Sequence, residues 1–419
     1  MTEEVKNRGW MVTFAGTGIN LALGVLYAWS VVRAAIEVQV AKGNWDWAET
    51  ALNDPYAVAV LVFAFVMVPA GRMVDRFGPR WTSTLGGILV GVGFLVASLS
   101  TELWVWILGF GVLAGAGIGM SYAAATPAAV KWFPARRTGL IAGLVVAGFG
   151  LASAYIAPLA NFLQNTVGIS QTMLYLGIAF LVLVVFLSQL LVIPPAGWVP
   201  PDAAAAAGAK KAAAEQQDYS WREMMGTGTF WLLWLVYAIG AGAGLMVISF
   251  AAGMAKTSLG ELAWLAVTVL AVGNATGRVF AGILSDKIGR QASLMIFLLF
   301  QAALIFGLMF VSQESAAAVV LIATFIGFNY GTNLTLFPSA TKDFFGLKSF
   351  GLNYGIVFTA WGVGGGVLSR VSKMLVAETD SLQYSCIMAG SLLVLGAVLT
   401  LFIRPPKKRQ AAQAAEQPA

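Results

Sequence analysis

The chain has 419 residues, of which 59% are hydrophobic and only 11% are charged. Soluble domains carry about a quarter of charged residues, so this composition predicts a membrane protein and excludes a soluble enzyme, a nucleic-acid-binding protein and a disordered scaffold. The chain contains no histidine and a single cysteine, Cys386. Histidine-based catalysis, histidine ligation of a metal and an internal disulfide bond are therefore excluded.

Twelve apolar runs are long enough to cross a bilayer, which takes roughly 20 residues. We predict spans at 10-32, 54-72, 81-100, 103-130, 138-162, 171-193, 229-254, 260-284, 290-311, 315-340, 350-370 and 382-403. The segment 33-53 is expected to be an interfacial loop, with Trp45 and Trp47 in an aromatic belt. The sequence thus predicts an all-α membrane protein with twelve transmembrane helices in two six-helix halves.

A polar, Ala- and Pro-rich stretch divides the two predicted halves. We expect an N-terminal six-helix bundle at 1-194, a cytoplasmic linker at 195-228, a C-terminal six-helix bundle at 229-404 and a cytoplasmic tail at 405-419. If both termini are inside, the inside segments hold 19 of the 25 Lys and Arg residues and the outside segments hold five. Because basic residues favour cytoplasmic loops, we predict a multi-pass protein of the bacterial inner membrane with both termini cytoplasmic.

An internal repeat supports the division into two halves. The pattern G-x-x-x-D-x-x-G occurs at Gly71–Gly78 and again at Gly282–Gly289, 211 residues later. Transporters use two such halves to place one site at a pseudo-symmetric interface, and to rock the halves around it. The repeat therefore favours a transporter over a receptor or a membrane enzyme.

The same motifs place carboxylates near helix ends. Asp75 and Asp286 are predicted to pair with a helix N-terminus or a nearby arginine in one conformation and to release it in another. The alternative is a tight turn whose charges only set the topology. The predicted conformational gating residues are Asp75, Arg76, Arg80, Asp286 and Arg290.

With these features the chain resembles the major facilitator superfamily over essentially its whole length. Three longer strings, Gly115–Tyr122, Trp132–Leu140 and Asn353–Gly355, together with Gly277-Arg278, make it similar to the oxalate:formate antiporter and monocarboxylate transporter group, which includes bacterial L-lactate transporters. The resemblance implies a monomeric secondary transporter that works by alternating access. No ATP-binding motif or cofactor motif is recognisable.

Arg278 is an ionisable residue within predicted span eight, about 9 to 12 Å from the end of the apolar run. An arginine at such a depth costs roughly 2.5 to 3.5 kcal/mol, so it is a candidate functional residue, with snorkelling to the headgroups as the alternative. No Asp, Glu, Lys or His lies inside any other predicted span, apart from Asp54 at the first position of span two. Arg278 is therefore predicted to bind a ligand carboxylate bidentately, and the resemblance implies the same role.

Departures from the resembling proteins narrow the expected substrate. Trp361 stands where the oxalate exchangers carry a second cation, and Leu26 replaces a polar residue. One cation suits a monoanion, so we predict a small monocarboxylate such as L-lactate or pyruvate, transported with a proton. The alternative is an anion exchanger of the oxalate:formate type.

Further residues are expected to complete the binding site. Asn274 precedes Arg278 by one turn on the same face, and it would orient the guanidinium or bind a substrate hydroxyl, or else form an interhelical hydrogen bond. Animal monocarboxylate transporters, which the chain resembles here, have an aspartate at this position. The other predicted wall residues are Tyr122, Tyr330, Asn333, Leu26 and Phe358, for which the competing interpretation is packing between helices. Packing is the preferred interpretation for Tyr354.

Overall fold

The computed structural model of the chain describes residues 6–195, 198, 200, 218–259, 263–310 and 316–406. Helices joined by short turns make up the regular structure of these ranges. The first half contains α1 (Gly9–Leu23), α2 (Trp29–Ala41), α3 (Asp54–Phe77), α4 (Pro79–Ser98), α5 (Leu103–Trp106), α6 (Gly115–Val130), α7 (Thr138–Val167) and α8 (Ile169–Ser188). The second half contains α9 (Trp221–Met225), α10 (Gly228–Leu259), α11 (Ala263–Ile288), α12 (Arg290–Gly307), α13 (Ala316–Phe345), α14 (Phe350–Thr379) and α15 (Gln383–Thr400).

These helices confirm the predicted all-α architecture of twelve spans in two halves. α1 and α2 form the first span through the 3₁₀ turn Gly24–Ala28, and α5 and α6 form the fourth through the π-helical stretch Ile107–Ala114. Ten of the helices in the described residues are apolar and long enough to cross a membrane. The other two, α11 and α14, have 26 and 30 residues but are more polar. Most of the predicted linker and tail lies outside the described residues.

Several helices extend beyond the apolar spans that were predicted for them. α3 and α11 continue for about one turn past the predicted apolar spans, so Asp75 and Asp286 lie in the last turns of helices, near the helix ends as the motifs predict. The turns that follow consist of single glycines, Gly78 and Gly289, with φ of 87° and 90°. Glycine adopts this left-handed conformation without a steric penalty. Hydrophobicity marks where the chain leaves the hydrocarbon, whereas helical hydrogen bonding continues in water.

The prediction of an interfacial loop over 33-53 is correct only in its second part. α2 continues to Ala41 before the chain turns. Trp45 and Trp47 are buried, and their rings pack on Trp106 at centroid distances of 5.5 and 5.9 Å. These indoles fill a cluster inside the first half, so they do not form an aromatic belt that faces the membrane interface.

The two halves meet chiefly where α3 crosses α14 and where α7 crosses α11. Both crossings are close because glycines leave room for backbone. A Cβ atom at Gly71 would overlap the carbonyl oxygen of Gly351, and one at Gly139 would overlap that of Gly282. Both contacts lie at the end of the bundle where residues 6 and 406 are found, which we call the termini face. The halves are therefore closed against each other on this face.

Candidate functional site

Arg278 is fully buried, with 0% of its surface exposed. Its Nε donates a 2.9 Å hydrogen bond to Oδ1 of Asn274, one turn earlier in α11. Its Nη1 donates to the carbonyl oxygen of Val146 in the first half, and its Nη2 lies 3.5 Å from the hydroxyl of Tyr27. A snorkelling side chain would place its charge among the headgroups. Arg278 instead directs its guanidinium across the interface between the halves.

The guanidinium retains unused hydrogen-bonding capacity. Of its five N–H groups, the contacts to Asn274, Val146 and Tyr27 use three and leave one on each terminal nitrogen. Two such donors in one plane match the two oxygens of a carboxylate. Within the described ranges, no carboxylate forms an ion pair with Arg278. A buried and unpaired charge is unfavourable, so the site as built is complementary to an anion.

A chain of hydrogen bonds connects Arg278 to Trp361 through two tyrosines. The hydroxyls of Tyr27 and Tyr330 are 3.2 Å apart, and Nε1 of Trp361 donates to the Tyr330 hydroxyl at 2.8 Å. Arginine and tryptophan only donate, so each tyrosine oxygen already accepts one bond. The bond between the two tyrosines uses one of their two protons. One hydroxyl proton therefore remains to be donated to a ligand beside the guanidinium.

Tyr27 was not among the predicted site residues. A signal for it was present, because Tyr27 directly follows Leu26 in a mainly apolar span and carries a hydroxyl that needs a partner. What the sequence lacks is the shape of the first span. The 3₁₀ turn Gly24–Ala28 interrupts the helix at this point, so the usual helical spacing does not predict which way Tyr27 faces.

Aromatic rings enclose the guanidinium. The Cζ atom of Arg278 lies 6.0 Å from the ring centroid of Phe149, which contacts Tyr27 at 5.2 Å and Tyr122 at 5.4 Å. Phe358 stacks on Trp361 at 5.2 Å. Leu26 is buried in the same turn as Tyr27. Tyr122 packs on Phe149 beside the guanidinium, and Phe358 packs on both Tyr122 and Trp361. Asn274 bonds to Arg278 directly and Tyr330 is linked to it through Tyr27, whereas Leu26 is placed only as a buried neighbour of Tyr27 in the chain.

Asn333 is the one predicted wall residue that the structure places elsewhere. Its amide nitrogen lies 3.5 Å from Oε1 of Gln301 and from the carbonyl oxygen of Asn329. Asn329 also donates to Gln301 at 3.0 Å, so these side chains form a polar network inside the second half. Asn333 lies one turn after Tyr330 on α13, but its amide is directed to Gln301 of α12. Asn333 is therefore not part of the proposed site.

The two motif carboxylates make equivalent contacts across the halves. Asp75 accepts hydrogen bonds from the backbone N–H groups of Gly351 and Leu352 at 3.1 and 2.9 Å, at the N-terminus of α14. Asp286 accepts from the N–H groups at the start of α7, those of Gly139 and Leu140, at 2.8 and 2.9 Å. The first turn of a helix has free N–H groups and a partial positive charge. Each half thus caps a helix of the other at the termini face. We call these two contacts the Asp75 clamp and the Asp286 clamp.

The basic residues of the two motifs differ in their environment. Arg290 is 7% exposed and pairs with Asp286 at 2.8 Å and with Asp343 at 2.7 Å. Arg76 and Arg80 are exposed, and no ion pair is found for either within the described part of the chain. The Asp286 clamp therefore includes a buried arginine, Arg290. The Asp75 clamp consists of the carboxylate and the helix N-terminus that it caps.

Two lysines at equivalent positions lie beside these clamps. Nζ of Lys342 donates to the hydroxyl of Thr138, directly before Gly139. Burial lowers the pKa of Lys131, an effect that the carboxylates of Asp75 and Asp218 oppose. Asp218 itself accepts from the N–H groups of Leu347 and Lys348, so the last part of the predicted linker holds the turn before α14. The closed termini face is thus held by charges as well as by packing.

Comparison with known proteins places the chain in a family. The profile of the Major Facilitator Superfamily matches residues 11–369 and 243–419. An uncharacterised transporter of this type from Escherichia coli, YhjX, is 31% identical over 87% of this chain and 88% of its own. The oxalate:formate antiporter of Oxalobacter formigenes is 26% identical, over 84% and 81% of the two chains. The apicoplast pyruvate carrier 1 of Toxoplasma gondii is 25% identical, over 85% and 82%.

The fold is also similar to that of a solved transporter. The proton:xylose symporter XylE superposes with a TM-score of 0.77, over 95% of this chain and 97% of that chain. Its sequence is only 17% identical, so the similarity concerns the fold alone.

Proposed function

The chain belongs to the major facilitator superfamily and is a multi-pass membrane transporter, and we propose that it moves a small monocarboxylate, such as L-lactate or pyruvate, by alternating access. The observation that carries this proposal is the buried guanidinium of Arg278, which bridges the two halves without a carboxylate partner in the described residues. A substrate carboxylate would take its two free N–H groups and the remaining tyrosine proton. The other end of a small substrate would face the aromatic rings.

The charge of the site supports a monoanion over a dianion. Arg278 is the only buried cation among the residues described around this site, and Trp361 occupies the position of the second cation in the oxalate exchangers that the chain resembles. The indole of Trp361 donates to Tyr330 and fills space with its rings. A second carboxylate would have to be buried without a cation, which is unfavourable.

The substrate is proposed to bring its proton with it. Asn274 contacts Arg278 where the animal monocarboxylate transporters have an aspartate, and an amide does not take up a proton. Among the residues that the structure describes, the other groups found beside Arg278 are tyrosines, a phenylalanine and backbone. Proton binding at the carboxylate–Arg278 pair would therefore neutralise the substrate during transport.

The clamps at the termini face are proposed to be the gate. In the observed conformation Asp75 and Asp286 hold the halves together by capping helices of the opposite half. Release of both caps would let the halves separate on this face, while the site at Arg278 stays between them. The charge distribution favours a cytoplasmic position for this face. We propose the bacterial inner membrane as the location of the protein.

An anion exchanger of the oxalate:formate type is the second candidate, because the antiporter of Oxalobacter formigenes is a relative over most of both chains. The two functions differ in whether substrate moves with a proton or against another anion. Purified protein in liposomes with an internal pH indicator separates them. We expect L-lactate uptake to be accompanied by internal acidification and to need no internal anion. Uptake that requires internal oxalate or formate, without acidification, would support the exchanger.

A further inference from the structure

Three exposed arginines surround the turn between α3 and α4 at the termini face. Arg72 and Arg76 lie in the last two turns of α3, and Arg80 lies in the first turn of α4. None of them forms an ion pair within the described ranges, and the carboxylate beside them, that of Asp75, is bonded to the N-terminus of α14. Like charges one helical turn apart repel each other. Among these residues the protein supplies no counter-charge to the three arginines.

Two of these arginines continue a stripe of residues on α3 that faces the lipid. Leu61 and Phe65 are large, apolar and exposed, as residues that contact acyl chains are. Arg72 and Arg76 follow on the same face of the helix, at intervals of seven and four residues. At a rise of 1.5 Å per residue, the Cα atom of Arg72 is about 10 Å beyond that of Phe65. The arginines therefore lie where the acyl chains give way to the headgroups.

α4 adds an aromatic side chain at the same level. Trp81 is 70% exposed and begins an exposed stripe on α4 that continues with Leu85 and Ile88. Tryptophan at the end of such a stripe is typical of the interface between membrane and water. At the end of α3 the exposed ring of Phe77 lies under the guanidinium of Arg76, with 5.2 Å between the Cζ atom and the ring centroid. The turn thus presents cations and aromatic rings together to the headgroup region.

The equivalent turn of the second half does not have this surface. At the repeat offset of 211 residues, Ile283 and Ala292 stand at the positions of Arg72 and Trp81. The one arginine of that turn, Arg290, is buried in ion pairs with carboxylates of its own half. The preference of basic residues for the cytoplasmic side applies to both turns alike, so it does not explain the difference between them.

We infer that Arg72, Arg76, Arg80 and Trp81 form a binding site for an anionic phospholipid. The guanidinium groups would donate hydrogen bonds to the phosphate, and the acyl chains would lie along the exposed stripes of α3 and α4. Clusters of basic residues at this level of a membrane protein attract anionic headgroups. This inference goes beyond the proposed function and does not depend on which substrate is carried.

Brominated phospholipids quench tryptophan fluorescence on contact, so Trp81 can report the bound lipid. We would reconstitute each protein with and without Trp81→Phe, in vesicles that contain brominated phosphatidylglycerol or brominated phosphatidylcholine, and assign the difference in quenching to Trp81. We expect Trp81 to be quenched preferentially by phosphatidylglycerol. This preference should fall roughly fivefold in each of Arg72→Gln, Arg76→Gln and Arg80→Gln. The corresponding lysine variants keep the charge and should retain most of it.

Lys287→Gln is the matched control, because Lys287 is the exposed cation at the position of Arg76 in the second half. It should leave the quenching of Trp81 unchanged. Equal quenching of Trp81 by the two lipids, or an unchanged preference in all three glutamine variants, would mean that the arginines only set the topology. Relief of the quenching by inorganic phosphate, beyond that by chloride at the same ionic strength, would mean that they bind a free anion. Either result would overturn the inference and leave the proposed function standing.

Discussion

Oδ1 of Asn274 accepts a 2.9 Å hydrogen bond from Nε of Arg278, its neighbour one turn along α11. The bond fixes the plane of the guanidinium and leaves its terminal nitrogens pointing away from α11, towards the first half. Asn274 is itself buried at 1% exposure. Its contribution to binding is therefore expected to be indirect, through the orientation of Arg278.

Two replacements of Asn274 separate its effect on the orientation of Arg278 from the effect of a negative charge beside Arg278. Asn274→Ala removes the bond to Nε, and we expect the half-saturation concentration for L-lactate to rise about tenfold. Asn274→Asp keeps the bond but gives Arg278 a counter-ion with which the substrate must compete, so we expect a larger rise than with alanine. Uptake measurements over a range of substrate concentrations check both. If both variants bind L-lactate with the affinity of the wild type, Asn274 does not orient Arg278 for substrate binding.

Exchange of Trp361 tests the selection of a monoanion. Trp361→Lys adds a second cation beside Tyr330, and we expect it to lower L-lactate uptake and to allow oxalate to compete for it. Trp361→Phe is the control, because it loses the 2.8 Å bond to Tyr330 without adding charge. Competition assays with oxalate read out the difference. Oxalate competition as strong in the wild type as in the lysine variant would remove the one-cation argument.

Removal of one carboxylate should loosen the termini face. In Asp75→Asn the cap on α14 loses its charge, which is worth about 1 kcal/mol, or roughly a fivefold shift between closed and open states. A thiol at Met67→Cys, placed in the α3–α14 contact of a Cys386→Ser background, reports opening through its reaction with an impermeant reagent. We expect reaction to be roughly fivefold faster with Asp75→Asn. Asp54→Asn, at the exposed opposite end of α3, should leave the rate unchanged.

A larger residue in place of Gly355 should also disfavour closure of the termini face, for a steric reason. A Cβ atom at Gly355 would overlap the carbonyl oxygen of Met67, and two backbones do not move apart cheaply. Gly355→Ala is therefore expected to disfavour closure at the termini face and to reduce transport about tenfold. Gly366→Ala on the same helix has open space around the added methyl group and serves as the control. Normal transport by Gly355→Ala would contradict the closed packing described here.

Much of the architecture was predictable from the sequence, because each span must be apolar along most of its length. The length of the helices beyond the membrane was not predictable from hydrophobicity, because Asp75 and Asp286 lie in polar sequence that continues α3 and α11. The position of Arg278 followed from its isolation in an apolar run. Its bonds to Tyr27 and Val146 did not, because they join different halves and no sequence spacing encodes them.

Asn333 shows the opposite case. It lies in the same span as Tyr330 and is as polar as Asn274, but Gln301 on α12 offers it a partner inside the second half. A single sequence reveals which side chains are polar and not which neighbours satisfy them.

We propose that the guanidinium of Arg278 binds the substrate carboxylate through two N–H groups. The most direct measurement is L-lactate uptake into proteoliposomes by wild type, Arg278→Lys and Arg278→Ala. Lysine keeps the charge but not the planar pair of donors, so we expect it to retain a small part of the uptake, and alanine to retain none. Undiminished uptake by Arg278→Ala would contradict the account.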